Sequence, residues 1–317
     1  MTHLVDIVLP VFGLIAIGYV VGWSGLLGRA TGEAIVDFVF VIAIPVFIFR
    51  TLATAEFAEA PWRIWLPFFS VFAVMWVLGD QAIRRFFARD ARAGLVAGVS
   101  AAYGNTVLVG IPLATAAYGS EGAVAIALII AIHMPVAMTA STILIGRAER
   151  RDGVAGASTS PTELGGAMVR NLIKNPIIIG LALGVVWGLI GLPYSGLGAT
   201  LIDEIADVAP PLALFSLGMA LRRYGIRRNV PAGLVLSMLK LFVMPGLVLL
   251  LAVYVVPMPP VWAKVAVIAA ACPTGINAYL IAARFRTGEA LASNAITLST
   301  GLAVITATVW LGIVAAI

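Results

Sequence analysis

Charge is scarce in this 317-residue chain, where Asp, Glu, Lys and Arg make up 11% of the residues, against about 25% in an ordinary soluble domain. A surface facing water on all sides cannot be built from so few charges. With 62% hydrophobic residues and a mean hydropathy of +1.07, a soluble globular domain is excluded. Cysteine occurs once, at Cys272, so an internal disulfide and a thiolate metal cluster are both ruled out. The two histidines, His3 and His133, fall on different apolar segments and make a poor metal site. No HExxH, GxSxG or Walker A run is present, so metalloproteolysis, serine chemistry and phosphate-driven pumping lack their parts. The chain reads as neither an enzyme nor a cofactor protein.

What is present is a succession of apolar runs of roughly 20 residues, the length needed to cross about 30 Å of hydrocarbon. Ten can be drawn, at about 4–22, 34–52, 62–80, 92–118, 122–146, 174–191, 205–222, 231–255, 261–285 and 290–316. The first lacks the basic start and small-residue cleavage site of a signal peptide and is too long for one, so it is expected to remain as a span. The net charge of +5 has a topological explanation rather than a nucleic-acid one. With the N-terminus outside, sixteen of the twenty Lys and Arg residues fall in or beside inner loops: Arg29, Arg84, Arg85, Arg89, Arg92, Arg147, Arg150, Arg151, Arg170, Lys174, Arg222, Arg223, Arg227, Arg228, Arg284 and Arg286. Arg50, Arg63 and Lys264 lie outside and Lys240 within a span. The positive-inside rule then puts both termini on the outer side of a cell (cytoplasmic) membrane.

Two spans are interrupted at mid-depth. One carries Tyr103-Gly104-Asn105-Thr106-Val107-Leu108-Val109-Gly110-Ile111-Pro112, the other Ala271-Cys272-Pro273-Thr274-Gly275-Ile276-Asn277-Ala278-Tyr279. Lipid offers no partner to backbone groups freed by a break, so such breaks are tolerated only against protein or a wet cavity. A shift of 166 lays Pro10 on Pro176 and Pro45 on Pro211, and a shift of 168 lays Asn105 on Pro273, Thr106 on Thr274 and Glu121 on Glu289. Two copies of a five-helix unit follow, at 1–146 and 174–317, joined by a polar connection at 147–173. An odd number of spans inverts the second copy. The expected fold is thus an all-α integral membrane protein of ten transmembrane helices in two inverted repeats, helices 4 and 9 being broken near the midplane. Pro112 suits the first turn of a restarted helix, and restarted N-termini favour an anion. Glycines at 180, 184 and 188, and at 18 and 22, allow close helix packing within the chain or between two chains, so a homodimer is compatible.

Gly104-Asn105 with Gly110-x-Pro112 and Gly119, Asn175-Pro176, Pro211 with Phe215-Ser216-Leu217-Gly218, Pro273 with Asn277, and Ser299-Thr300 with Thr306 together resemble the auxin efflux carrier family. That family holds bacterial carriers for malonate and other small carboxylates as well as plant auxin carriers. The resemblance implies a secondary transporter of a small organic anion, a mono- or dicarboxylate, with helices 4 and 9 crossing at their broken middles. It implies a scaffold of helices 1, 2, 6 and 7 and a mobile transport domain of helices 3–5 and 8–10, working as an elevator. It also implies that Asn105 and Asn277 present amides to a substrate carboxylate. Bile-acid sodium symporters share the plan, so sodium coupling is an alternative, though no acidic cluster at the breaks demands it. A carboxylate receptor without net transport is another.

Each of these residues also has a structural reading. Asn105 and Asn277 are preferred helix caps. Thr106 and Thr274 could bond carbonyls freed by the breaks rather than a ligand, and Gly104, Gly110, Pro112, Pro273 and Gly275 serve to open the helices. His133 is either a proton carrier or a neutral histidine bonded between helices. Lys240 could attract an anion, pair internally or snorkel part of the way to the interface. Asp37 and Asp207 read as interfacial caps, and Cys272 as a small packing residue.

Overall fold

A computed structural model of the chain describes residues 2–55, 60–151, 166, 170, 172–226 and 229–317. Most of the 147–173 connection, together with Arg227 and Arg228, lies outside the described residues. The regular elements among the described residues are all helical, and one isolated antiparallel bridge joins Gly104 with Thr274. Twelve helical elements can be named: α1 (Thr2–Ser24), α2 (Arg29–Ala53), α3 (Trp62–Phe86), α4 (Ala91–Ala102), α5 (Ile111–Arg151), α6 (Pro176–Ile190), α7 (Gly196–Asp207), α8 (Ala209–Tyr224), α9 (Val230–Tyr254), α10 (Pro260–Ala271), α11 (Asn277–Arg284) and α12 (Glu289–Ala315).

Among the described residues, seven helices are long and apolar enough to cross a membrane, with α7 and α8 counted as one. Three further apolar helices are shorter: α4 and α10, at the interrupted segments, and α6, with 15 residues. Helices α4 and α10 have 12 residues each, roughly 18 Å at 1.5 Å per residue, and stop well short of spanning about 30 Å of hydrocarbon. Both end at the predicted breaks. After the first, a π turn at Thr106–Gly110 leads into α5, with Pro112 in its opening turn. After the second, α11 begins at Asn277. Between the expected spans 92–118 and 122–146, α5 is interrupted: Gly119, with φ 58° and ψ −141°, is not helical, so 111–118 and 120–151 are two helices meeting at a kink that suits a residue without a Cβ.

Prolines leave a second signature. In α2 the turn Val39–Ala43 is a π turn directly before Ile44-Pro45, and in α9 the turn Leu239–Val243 is one directly before Met244-Pro245. Proline has no N–H to donate and its ring crowds the carbonyl four residues back; the wider turn accommodates both.

Close approach of helices follows the small residues. A Cβ on Gly218 would sit 2.0 Å from the Ile15 carbonyl oxygen and one on Gly18 2.1 Å from that of Phe215, so α1 and α8 meet backbone to backbone. Gly180 and Gly184 bring α6 equally close to Pro45 and Phe49 of α2. These glycine stripes are used within the chain. Helix α7 was not expected from the sequence. Its Asp203 and Asp207 reach Arg50 at the end of α2, at 3.5 and 2.6 Å, so Asp207 serves as an ion-pair partner. Tyr194, in the preceding loop, donates to Asp203 at 2.8 Å; desolvation first, and that carboxylate second, push its pKa up to about 12.

Candidate functional site

The two breaks meet. The Asn105 N–H donates to the Pro273 carbonyl at 2.7 Å and the Gly275 N–H to the Tyr103 carbonyl at 2.9 Å, so two stretches 168 residues apart in sequence form a short antiparallel pair. This pairing satisfies backbone groups that a break would otherwise leave bare in an apolar interior, where each unsatisfied group costs about 1–3 kcal/mol. Gly275 is required by space, since a Cβ there would lie 2.6 Å from the Tyr103 ring. A Cβ on Gly104 would approach the Ala269 carbonyl and the Lys240 ammonium, each at 3.2 Å.

The crossing forms the floor of a cavity of about 1020 Å³ whose wall includes Tyr103, Gly104, Asn105, Thr106, Val107, Asn175, Ile276 and Asn277. The cavity extends past Met134 and Met219 towards Arg29, Glu33, Asp37, Arg222 and Arg223. At that end Glu33 holds Arg29 at 3.0 Å and Arg223 at 3.7 Å, while Arg222 donates to the Gly22 carbonyl. Asp37 is exposed there, on the cavity wall.

Asn105 is buried, and its two polar ends differ. Its Oδ1 accepts from the Leu108 N–H at 3.2 Å, capping the π turn that starts α5, whereas its Nδ2 has no hydrogen-bond partner among the described residues. Asn277 is half-buried and donates from Nδ2 to the Tyr103 hydroxyl at 2.8 Å. The hydroxyl of Thr106 meets His133 Nδ1 at 3.2 Å. Thr274 does not line the cavity: its hydroxyl donates to the Ser100 carbonyl at 2.8 Å and its N–H to Ser299 Oγ at 2.9 Å, both bonds holding the break together.

His133 is buried in an aromatic cage. Its ring stacks on Tyr103 with centroids 4.3 Å apart and meets Phe68 and Phe72 edge-on at 5.4 and 5.5 Å. With Nδ1 on Thr106, its Nε2 is unpartnered among the described residues. Lys240 is fully buried inside the π turn Leu239–Val243, donates to the Ala270 carbonyl and lies 3.3 Å from Met244 Sδ; it does not line the cavity. Cys272 is buried beside the crossing, 3.3 Å from where a Cβ on Gly110 would lie. No group of three or more His, Cys, Asp or Glu able to hold a metal occurs among the described residues.

Tyr103 is the residue that sequence reasoning passed over, as it marked only the edge of the break. It bonds Asn277, stacks on His133 and lends its carbonyl to Gly275, so it links the Asn277 amide and the second break to the histidine. A phenol beside a break at mid-depth was the available signal.

Comparison with known proteins agrees with the direction of this geometry. Residues 3–311 match the family described as Membrane transport protein. A Rhizobium meliloti protein named "Putative malonate transporter" is 27% identical over 97% of this chain and 95% of its own length. An "Uncharacterized transporter" of Methanothermobacter thermautotrophicus is 26% identical, with 96% of each chain covered. The mouse "Lysosomal cholesterol signaling protein" is 24% identical over 77% of this chain but 29% of its own length. The match over nearly the whole chain, the apolar helices and the paired breaks agree with one another: the chain belongs to the membrane transport protein family of the auxin efflux carriers and is a transporter rather than an enzyme.

Proposed function

We propose that this protein is a secondary active transporter of a small organic anion, a mono- or dicarboxylate of the malonate kind. The anion is held where the breaks before α5 and α11 cross. The observation that carries this reading is the unpartnered, buried Nδ2 of Asn105 on the floor of a polar-edged cavity, beside the amide of Asn277. Two helices restart there, and the positive dipole end of a restarted helix favours a carboxylate. Arg29, Arg222 and Arg223 at the far end of the cavity attract an anion from solution.

In this reading the chain is two inverted five-helix repeats, 1–146 and 174–317, with ten crossings and both termini outside, so the cavity faces the cytoplasm. The close pairs α1–α8 and α2–α6 form the scaffold, and the remaining helices carry the site across the membrane as an elevator. Thr106 contacts the substrate or orients His133, and Thr274 holds the break. Gly104, Gly110, Pro112, Pro273 and Gly275 keep the crossing open. His133, held in its aromatic cage against the Thr106 hydroxyl, is the candidate for proton coupling through Thr106. The relative named for malonate supports that substrate class. The test is counterflow in reconstituted vesicles: preloaded malonate, succinate or acetate is expected to drive saturable uptake of the labelled acid. Binding without exchange would instead favour a receptor.

A further inference from the structure

The transport reading leaves one group unused. Lys240 is fully buried, and its partners among the described residues, the Ala270 carbonyl and the Met244 sulfur, are both neutral. A buried ammonium without a carboxylate is costly unless something else supplies negative potential. Part of that potential comes from α10. Ala270 lies in the last turn of a helix that stops at Ala271, so its carbonyl is one of those freed by the break and belongs to the negative end of the helix dipole.

Among the described residues no carboxylate supplies the remainder, which leaves the cavity side of Gly104. A Cβ on Gly104 would lie 3.2 Å from the Lys240 Nζ, and Gly104 itself lines the cavity. A glycine backbone alone therefore separates the ammonium from the proposed position of the anion. In secondary transporters, carbonyls at unwound segments and the C-terminal ends of half-helices are the groups that coordinate a coupling cation. Here one such carbonyl is already occupied by a cation belonging to the chain.

We propose that Lys240 is a tethered cation standing in the place of a soluble coupling ion, and that it is the fixed counter-charge for the anion bound on the other side of Gly104. This rests on the transport reading. It adds that the substrate is selected as an anion by a charge it never touches, and that sodium is not needed to bind it. Lys240 is then a positioning residue, acting through the field at the crossing.

The experiment separates charge from capping. Lys240→Gln keeps an N–H donor for the Ala270 carbonyl and removes the charge. Acetate, malonate and succinate are screened against wild type by thermal shift, as sodium and as N-methylglucamine salts, and the strongest binder is compared with its uncharged amide by calorimetry. For wild type, equal binding in both salts is expected. In Lys240→Gln the carboxylate is expected to weaken roughly 50- to 100-fold, the order set by unit charges about 6–7 Å apart at an effective dielectric near 20, while the amide is unaffected. A variant that keeps its preference for carboxylate, or a wild type that binds only with sodium, overturns the proposal. If Lys240→Gln does not fold, the sodium comparison on wild type decides. Failure of wild type to bind any of the acids at millimolar concentration removes the transport reading and the counter-charge with it. Binding lost only in the variant leaves both standing.

Discussion

Asn105 offers two functions on one side chain, and substitution can divide them. Its Oδ1 caps the turn opening α5 through Leu108 N–H, and its Nδ2 is the donor proposed for substrate. Asn105→Ala removes both. The cap is worth about 1 kcal/mol, and a hydrogen bond to a charged group about 1.5–3 kcal/mol, or roughly 10- to 150-fold in affinity. Asn105→Asp keeps an acceptor for Leu108 N–H and sets a negative charge at a helix N-terminus, which is favourable by about 0.3–1 kcal/mol at exposed sites. It also turns the donor into a carboxylate facing the anion. Asn105→Ala should therefore lose both stability and transport; in Asn105→Asp the retained cap is set against the cost of a buried carboxylate, and the apparent KM for exchange should rise more than about tenfold. Thermal unfolding and counterflow on the same preparations make the comparison. If Asn105→Asp exchanges substrate with a wild-type KM, the amide is a cap only and the site assignment is wrong.

Tyr103→Phe frees the Asn277 amide from its 2.8 Å bond while keeping the ring on His133; a change of about 1 kcal/mol, roughly fivefold in apparent affinity, is expected in the same exchange assay. Gly218→Ala places a methyl 2.0 Å from the Ile15 carbonyl and should lower stability by about 1–3 kcal/mol. Gly13→Ala on the same α1 meets nothing within 4 Å and should leave the unfolding temperature in place. Cys272 is buried beside the crossing, so it should react with N-ethylmaleimide far more slowly than a free thiol, and label forced in by partial unfolding should abolish exchange. Cys272→Ala, by contrast, should retain exchange with a stability loss of about 1 kcal/mol.

The breaks were legible because proline, glycine and asparagine have no ordinary reason to occupy the middle of an apolar run, and both breaks appear where they were read. The glycine stripes were legible for the same kind of reason, as Gly18 and Gly180 meet partner backbone within the chain. Helix α7 was not, because Asp203, Glu204 and Asp207 interrupt the apolar count while Leu197 and Leu201 stay exposed on its other side. Nor was the environment of Lys240. Hydropathy measures depth, whereas the partner that takes up the ammonium is a backbone carbonyl 30 residues away, which has no letter in the sequence. For Thr274 the sequence offered both a ligand contact and a bond to a carbonyl near the break, and its hydroxyl is used on the Ser100 carbonyl.

The pairing of Tyr103 to Asn105 with Pro273 to Gly275 also sets an order of biogenesis. During synthesis the first break enters the membrane long before its partner is made, so the Asn105 N–H and the Tyr103 carbonyl must be tended by water, lipid headgroups or an insertion factor until the last third of the chain arrives. A contact of such sequence separation closes late. A ribosome stalled before Pro273 would therefore hold an intermediate whose first break still lacks its backbone partner.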